Sequence, residues 1–212
     1  LYQLGALAFR LESWREFSVI ITFHILATGM ELFKTHPAIG SWAYPGYESS
    51  IFVLATVPLF SGFLYSAVGS YISRAFVFLD LSFQNFPAYY HLSILAALIY
   101  INFFSHHFVY DIRYILFAYV AVLFWRTQIH FRVYQKVRSM PFVVAAVLTA
   151  FFLWVAENIG TFTSVWLYPS QAELWHVVSF GKMGSWFLLL ILSFALVSII
   201  YRARLRGTSS YP

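Results

Sequence analysis

Six long apolar runs constrain the fold of this chain more than any other feature. They lie at residues 17–33, 51–78, 89–104, 112–125, 140–159 and 180–201. A helix that crosses the roughly 30 Å hydrocarbon core of a bilayer needs about 20 apolar residues, and only 10% of this chain is charged. A membrane β-barrel would instead show segments of alternating polarity. The runs predict an all-α fold, a polytopic transmembrane helix bundle of about six spans.

The length fits one domain. We expect residues 1–212 to form a single transmembrane domain, because six spans of about 20 residues use most of the chain. The apolar stretch LYQLGALAF at the start indicates the tail of an upstream helix and lacks the pattern of a secretory signal. An N-terminal region is therefore expected ahead of Leu1. The absence of cysteine excludes disulfides, thiolate metal sites and a cysteine nucleophile.

Lysine and arginine indicate the orientation, because cytoplasmic loops are enriched in them. Ten of the 13 fall in segments on one predicted side: Arg10, Arg15, Arg74, Arg126, Arg132, Lys136, Arg138, Arg202, Arg204 and Arg206. The remaining connections carry Lys34, Arg113 and Lys182. Both ends of the chain are thus predicted to be cytoplasmic. The basic segments would lie against anionic membrane lipids, and no nucleic acid is expected as a partner.

Most other polar residues fall near the opposite, non-cytoplasmic ends of the spans. Ionisable groups inside a membrane are costly and are functional candidates by default, so we predict a membrane-embedded site that opens on this side. The candidate catalytic residues carry carboxyl or imidazole groups: Glu31, Glu157, His106, His107 and Asp111. The candidate substrate-binding residues are cations that would hold an anionic head group, and two indoles: Lys34, Arg113, Lys182, Trp42 and Trp166.

Each candidate also has a structural interpretation. The two glutamates would serve equally well as buried carboxylates that tie helices together or as proton donors in an apolar site. The stretch HHFVYD at 106–111 fits an interfacial turn with hydrated histidines. A metal site is a further alternative, although no HExxH or repeated HxxxH spacing supports it. Its candidate ligands are His24, His106, His107 and His176. His24 alone is more typical of a hydrogen-bonded core histidine, and the sequence specifies no cofactor.

Two Trp-x-Tyr-Pro corners indicate an internal repeat. SWAYP at 41–45 follows Glu31, and VWLYP at 165–169 follows Glu157. The preceding spans run in the same direction in the predicted topology, which would give a parallel repeat of helical hairpins with halves around 17–78 and 140–201. Tyr and Trp anchor at the membrane interface, and Pro turns the chain. The corners are therefore expected to hold the two glutamates at matched depths.

Motifs along nearly the whole chain resemble a known family. They are FHILATGMELFKTH, GSWAYP, VPLFSGFLYSAVGSY, IYINFFSHHFVYDIR, WVAENIGTF, VWLYPSQ and GKMGSW, and they are similar to the YoaT-like family of bacterial integral membrane proteins, the domain of unknown function 817. The resemblance implies a multi-pass protein of the bacterial inner (cytoplasmic) membrane with a longer N-terminal region. It brings no activity or cofactor. A looser likeness is to membrane-embedded carotenoid cyclases and hydratases, although their Pro-Glu-Glu signature is absent here.

The sequence leaves three classes of function open. The first is an enzyme that acts on a lipid or isoprenoid by acid/base chemistry in the membrane-embedded site. The second is a non-catalytic subunit of a larger membrane complex, with other membrane-protein subunits or with pigment or haem. The third is a transporter or proton pathway lined by His24, Glu31 and Glu157. Whether the chain is an enzyme is not decided by the sequence.

Overall fold

The computed structural model describes residues 13–205, and this part of the chain is mostly helical. Each predicted apolar run contains one helix. The helices are α1 (Trp14–Thr35), α2 (Phe60–Phe78), α3 (Tyr89–Ser105), α4 (Arg113–Leu123), α5 (Phe142–Phe162) and α6 (Gly181–Ser198), followed by the short α7 (Arg202–Leu205). Two single-turn 3-10 helices, Tyr47–Ser49 and Pro169–Gln171, lie in the connections.

The all-α expectation is wrong in one respect, because two small antiparallel sheets accompany the helices. A two-stranded hairpin pairs β1 (Val53–Leu54) with β2 (Val57–Pro58). A three-stranded sheet has the order β3 (Ser82–Gln84), β4 (Gln128–Val133), β5 (Lys136–Pro141). Tyr134 turns the β4–β5 hairpin with a positive φ of 54°. The basic segment between α4 and α5 therefore forms a β-hairpin.

Two of the predicted runs differ from the helices that they contain. The run at 51–78 is not one helix, because its first residues form the β1–β2 hairpin and α2 begins only at Phe60. An apolar run has the same composition in a strand as in a helix, so hydropathy cannot separate them. The run at 112–125 contains the 11-residue α4, which rises only about 16 Å. The other four runs match their helices to within a few residues at each end.

Three helices are long and apolar enough to cross a membrane: Glu16–Thr35 within α1, Phe142–Phe162 and Gly181–Ser198. Helices α3 and α4 are apolar but shorter. Helix α6 is central, since it packs against α1, α2, α3, α4 and α5 and is buried along most of its length. Helix α1 packs mainly on α2. The apolar residues on the outside of α5 are largely exposed.

A cluster of phenyl rings joins the helices to the three-stranded sheet. Phe83 of β3 lies 5.7 Å from Phe76 of α2 and 5.6 Å from Phe194 of α6, measured between ring centroids. Phe142 of α5 lies 5.0 Å from Phe194 and 4.5 Å from Phe124, which ends α4. Five elements therefore meet here. We call this the sheet end of the bundle, and we call the opposite end, with the connections 36–59, 106–112 and 163–180, the corner end.

A buried carboxylate fixes the sheet-end start of α1. Ser13 caps the helix in a capping box with Glu16. The Glu16 carboxylate also accepts hydrogen bonds from Ser73 of α2, at 3.0 Å, and from Tyr201 after α6, at 2.7 Å. Tyr201 stacks on Phe76 with centroids 4.5 Å apart. Glu16 therefore joins α1 to α2 and to the segment that follows α6.

Candidate functional site

The two Trp-x-Tyr-Pro corners bind each other directly. Ala43 and Leu167 form an isolated antiparallel bridge, in which each amide N–H donates to the other residue's carbonyl oxygen at 2.9 Å. The indole of Trp42 meets the ring of Tyr168 edge-on, with centroids 6.4 Å apart. The connection after α1 is thus joined to the connection after α5 at the corner end. We call these two segments, 41–45 and 165–169, the corner pair.

Glu31 lies under the first corner and accepts three hydrogen bonds. The residue is 1% exposed. Its Oε2 accepts from the indole N–H of Trp42 at 2.9 Å and from the hydroxyl of Tyr44 at 2.8 Å, and its Oε1 accepts from the hydroxyl of Tyr65 at 2.5 Å. Burial, followed by the Glu31 charge, raises the pKa of Tyr44 well above its usual range. Tyr44 therefore remains a proton donor, and both carboxylate oxygens of Glu31 are engaged.

Glu157 lies under the second corner, and only one of its two carboxylate oxygens accepts a hydrogen bond from the described residues. It is 2% exposed, and its Oε1 accepts a short hydrogen bond from the Tyr168 hydroxyl. Its Oε2 is buried and has no hydrogen-bond partner among the described residues. Burial, followed by the Glu157 charge, raises the pKa of Tyr168 far above its usual range. The corner tyrosine thus has the same role in both halves, but only Glu157 has a carboxylate oxygen without a hydrogen-bond partner among the described residues.

A small cavity of about 110 Å³ with charged side chains in its wall lies at the corner end, and Glu157 is one of the residues that line it. Its wall includes the three cations Lys34, Arg113 and Lys182, together with Glu157 and His106. These five residues come from α1, α4, α6, α5 and the end of α3. The sequence singled out all five, and the structure brings them to one cavity. Trp42, another candidate, contributes to the same wall.

A larger, mostly apolar cavity of about 400 Å³ adjoins it between α2 and α5. Glu31, Trp166 and Leu153 line this cavity. The two cavities share a wall, which is formed by Trp42, Tyr65, Glu157, Tyr168 and Trp186. Two further lining residues, Leu64 of α2 and Ile159 of α5, are exposed on the outside of the bundle. The larger cavity therefore opens on the flank of the bundle between these two helices.

Lys34 is held in place by the two adjacent histidines. It is 3% exposed, and its Nζ lies 3.3 Å from Nε2 of His106 and 2.8 Å from Nε2 of His107. An ammonium group only donates, so both ring nitrogens accept. The Nδ1 of His106 lies 2.7 Å from the carbonyl oxygen of Asn102, which only accepts. His106 is therefore the neutral tautomer with its proton on Nδ1.

The surroundings of the two histidines favour their neutral forms. Burial, followed by the charge of Lys34, lowers the pKa of His107 from its ordinary 6.5 to about 4. Burial also lowers the pKa of His106, and the Lys34 charge adds to the effect. Both rings thus remain acceptors for Lys34 at neutral pH. They position a cation, and a role as proton-transfer groups does not follow from these contacts.

Asp111 fixes Arg113 at the start of α4. Its carboxylate accepts from the Arg113 Nε at 2.5 Å and from the Arg113 amide at 2.9 Å, and Asn102 donates to it at 3.1 Å. Burial would raise the pKa of Asp111, but these hydrogen bonds outweigh it and hold the pKa below its usual value. Neither Asp111 nor His107 is among the described residues that line the two cavities. Both act through the cations that they contact.

The candidate metal ligands are not brought together. The ring of His24 lies against Gly62 of α2, and His176 binds the backbone carbonyls of Ser170 and Val177 in the loop before α6. The rings of His106 and His107 are adjacent, with centroids 4.2 Å apart. Within residues 13–205, no three His, Asp or Glu side chains are grouped so that they could hold a metal ion.

Sequence reasoning missed the tyrosines and one tryptophan of the site. Tyr44 and Tyr168 donate to the two glutamates, and their place in the repeated corner was a usable signal. Tyr65 and Trp186 lie within α2 and α6, among many other aromatic residues. Nothing in the sequence distinguishes them, because their role depends on which way each helix is rotated.

Comparisons with known proteins point to one family. The family described as "Protein of unknown function (DUF817)" matches residues 1–194. The chain is similar to the "Uncharacterized protein YoaT" of Bacillus subtilis (strain 168), with 42% identity over 206 residues, which cover 96% of this chain and 76% of that protein. Neither match is to a carotenoid cyclase or hydratase. No solved structure matches the chain.

Proposed function

The chain belongs to the DUF817 family of proteins of unknown function, and we propose that it is a multi-pass bacterial membrane protein that binds an amphiphile and exchanges a proton with it. The amphiphile is a lipid or isoprenoid with an anionic head group. Membrane lipids are then its partners and the source of its substrate. The bacterial cytoplasmic membrane is its location.

The observation that carries this proposal is the common wall of the two cavities. The smaller cavity, about 110 Å³ and lined by three cations, fits a head group. The larger one, about 400 Å³ and largely apolar, falls in the roughly 300–1,000 Å³ range of small-molecule sites and fits a hydrocarbon chain. A molecule that fills both has its head-to-tail junction at the shared wall, beside Glu157. A space with charged side chains in its wall beside a largely apolar space is what an amphiphile requires.

Glu157 is the group that we assign to proton transfer. A general acid or base must reach the substrate with an oxygen that is not already committed, and its Oε2 has no partner among residues 13–205. Glu31 accepts three hydrogen bonds, so we assign it to positioning Trp42 and Tyr65 in the shared wall. His106, His107 and Asp111 then position Lys34 and Arg113. None of the three needs to transfer a proton itself.

The membrane topology proposed with this function has six crossings and cytoplasmic ends. The charges support it, because the described basic residues at the sheet end are Arg74, Arg126, Arg132, Lys136, Arg138 and Arg202. Among residues 13–205, the lysines and arginines at the corner end are Lys34, Arg113 and Lys182, which all line a cavity. Helix α4 is shorter than the roughly 30 Å hydrocarbon core, so the crossing assigned to it is supported by the charge distribution and not by its length. The repeated tyrosine-to-glutamate contacts support a parallel repeat of the two hairpins.

Deuterium exchange tests the proposed proton transfer. The purified chain is incubated in D2O with an unsaturated isoprenoid monophosphate, and deuterium in its carbon-bound positions is measured by mass spectrometry. We expect incorporation above the protein-free rate, because an acid that protonates a double bond returns a different hydron when the step reverses. The variant Glu157→Gln should lose this incorporation and still bind the isoprenoid.

A matched acid and a filled cavity provide the controls. Glu48→Gln changes an exposed acid at the same end of the bundle and should leave the exchange rate unchanged. Ala156→Phe places a ring in the larger cavity, which Ala156 lines, and should abolish binding. Equal exchange in the parent chain and in Glu157→Gln would refute the assignment of Glu157. Unchanged binding in Ala156→Phe would refute the assignment of the tail.

A further inference from the structure

We propose that the smaller cavity is a site for a dianionic phosphate group, either a phosphate monoester or the terminal phosphate of a diphosphate. This inference rests on the proposed function and names its head group. Its ligands are Lys34, Arg113 and Lys182, one from each of three helices. The larger cavity would hold the chain esterified to that phosphate.

The charges around the cavity are unbalanced. Lys34, Arg113 and Lys182 line it, and Glu157 is the one carboxylate in its described wall. His106 is neutral, as its hydrogen bonds require. With the three cations protonated and Glu157 ionised, the wall carries an excess of about two positive charges, of which Asp111 offsets a part from behind Arg113. A phosphate monoester carries roughly −1.5 to −2 at pH 7, whereas a fatty carboxylate carries only −1.

Lys34 has a donor in reserve for such a ligand. An ammonium group has three N–H donors, and Lys34 uses two of them on His106 and His107. Both acceptors are neutral rings, so the ammonium is buried without a carboxylate within ion-pair distance among residues 13–205. Burying an unpaired charge is expensive. A phosphate oxygen in the cavity would take the third donor and supply the missing counter-charge.

Arg113 and Lys182 lie in the first turns of two helices, where cations are unfavourable unless an anion is bound nearby. Arg113 is the first residue of α4, and Lys182 is the second residue of α6. The helix dipole places partial positive charge at both of these ends, so cations in a first turn are unfavourable. Lys182 and Arg113 also lie near enough to repel Lys34. An anion bound between two helix starts and three cations reverses each of these unfavourable terms.

Binding of head-group analogues tests the proposal. The probes share a twelve-carbon chain and differ in head group: dodecyl phosphate, dodecanoate and dodecanol. Inorganic phosphate is the fourth probe. The parent chain is held in dodecyl maltoside, which contains no phosphate, and each Kd is measured directly by isothermal titration calorimetry. We expect dodecyl phosphate to bind at least about tenfold more tightly than dodecanoate. One additional hydrogen bond between charged groups accounts for a factor of about this size.

The variants Lys34→Met and Lys182→Met should each weaken dodecyl phosphate by about tenfold or more and leave dodecanol unchanged. Two separate variants are used because the buried Lys34 affects folding more than the half-buried Lys182. Lys136→Met is the matched control, since this lysine is exposed in the β4–β5 hairpin, and it should bind every probe as the parent does. Equal affinity for the three head groups, or phosphate binding that survives both variants, would overturn the proposal.

The arms separate this inference from the proposed function. If dodecanol and dodecanoate bind as well as dodecyl phosphate, the amphiphile site stands and the phosphate assignment is wrong. If inorganic phosphate binds as tightly as dodecyl phosphate, and does so through Lys34 and Lys182, the phosphate site stands and its source is free phosphate. In that case the assignment of the larger cavity to a lipid chain is wrong.

Discussion

At the scale of single residues, two acids in corresponding positions have different environments. Each glutamate precedes a Trp-x-Tyr-Pro corner and accepts from the tyrosine of that corner. Glu31 has two more donors, from Trp42 and Tyr65, whereas Glu157 has an oxygen without a partner among the described residues. A substitution that leaves several buried donors without their acceptor lowers stability more than one that affects a single donor. The two acids should therefore respond differently to the same substitution.

Glu31→Gln should destabilise the fold more than Glu157→Gln. The amide nitrogen of Gln only donates. In Glu31→Gln it would replace a carboxylate oxygen that accepts hydrogen bonds in the parent chain, so donors would face a donor. We expect a loss of about 2 to 3 kcal/mol in the free energy of unfolding for Glu31→Gln and about 1 kcal/mol or less for Glu157→Gln. Denaturant titration followed by Trp fluorescence measures both. A larger loss for Glu157→Gln would mean that the two roles are reversed.

Acidification should weaken the corner end through His107. Its pKa is lowered to about 4, so between about pH 6.5 and 4 the unfolded chain binds the proton more strongly than the folded chain does. The stability contribution is complete above about pH 6.5 and is lost as the pH falls toward 4. The facing groups are Lys34, Ser41, His106 and Lys182.

The variant His107→Gln isolates this contribution. Its melting temperature should fall less than that of the parent chain between pH 6.5 and 4. A smaller fall should persist, because the pKa of His106 is lowered as well. Asp111 does not contribute in this window, since its lowered pKa places its titration at more acidic pH. Parallel pH profiles for variant and parent would contradict the role given to His107.

The sequence could identify most charged residues of the site but not their convergence. Buried charges are costly in an apolar chain, so Lys34, Arg113, Lys182 and Glu157 were conspicuous. Their common cavity depends on the rotation of four helices about their axes, and a nearly uniform apolar surface does not encode this rotation. The same uniformity concealed Tyr65 among the other aromatic residues.

At the scale of elements, α5 and the second corner fit together at a glycine. A Cβ at Gly160 would lie 2.3 Å from the ring of Trp166, which lines the larger cavity. At Gly69 of α2 the nearest atom, from Phe23, would be 3.5 Å away, an ordinary contact. The backbone of α5 is therefore approached closely at Gly160, and a side chain there would displace the indole.

Gly160→Ala and Gly69→Ala should change stability in opposite directions. We expect Gly160→Ala to lower the free energy of unfolding by about 1 to 3 kcal/mol, as overpacking does, and to weaken binding of a hydrocarbon chain. Gly69→Ala should be neutral or stabilising by up to about 1 kcal/mol, because Ala favours helix. Thermal unfolding and probe binding measure both effects. A neutral Gly160→Ala would show that the indole can move at little cost.

The corner pair should depend on the amide of Leu167. Leu167→Pro removes the N–H that donates to Ala43, and the loss of one such hydrogen bond costs about 0.5 to 1.5 kcal/mol. The control is Leu174→Pro, at an exposed loop position of the same connection. We expect only Leu167→Pro to lower the melting temperature by several degrees and to weaken amphiphile binding. Equal effects of the two variants would contradict a coupling through the bridge.

The elements themselves were predictable where they are long and apolar. Each of the six helices largely coincides with one predicted run, since burying a helix in lipid requires such a run. The sheets were missed for two reasons. At 51–58 the hairpin is as apolar as the helix that follows. At 128–141 the basic residues within β4 and β5 conceal the alternation that marks a strand.

At the scale of the whole molecule, the absence of cysteine makes the proposed orientation directly testable. Single cysteines are introduced as Lys136→Cys at the sheet end and Glu173→Cys at the corner end, both exposed positions. A membrane-impermeant maleimide should label Glu173→Cys in intact cells and Lys136→Cys only after lysis. This pattern follows if the sheet end is cytoplasmic, as its basic residues predict. The opposite pattern would invert the orientation.

The opening of the larger cavity between α2 and α5 has a kinetic consequence. A ligand that enters there from a bilayer arrives by two-dimensional diffusion, without passing through water. Its effective concentration is its mole fraction among the surrounding lipids, and its molarity in the suspension is irrelevant. Adding inert lipid at constant total ligand would then slow turnover by surface dilution, while adding buffer would leave the rate per protein unchanged.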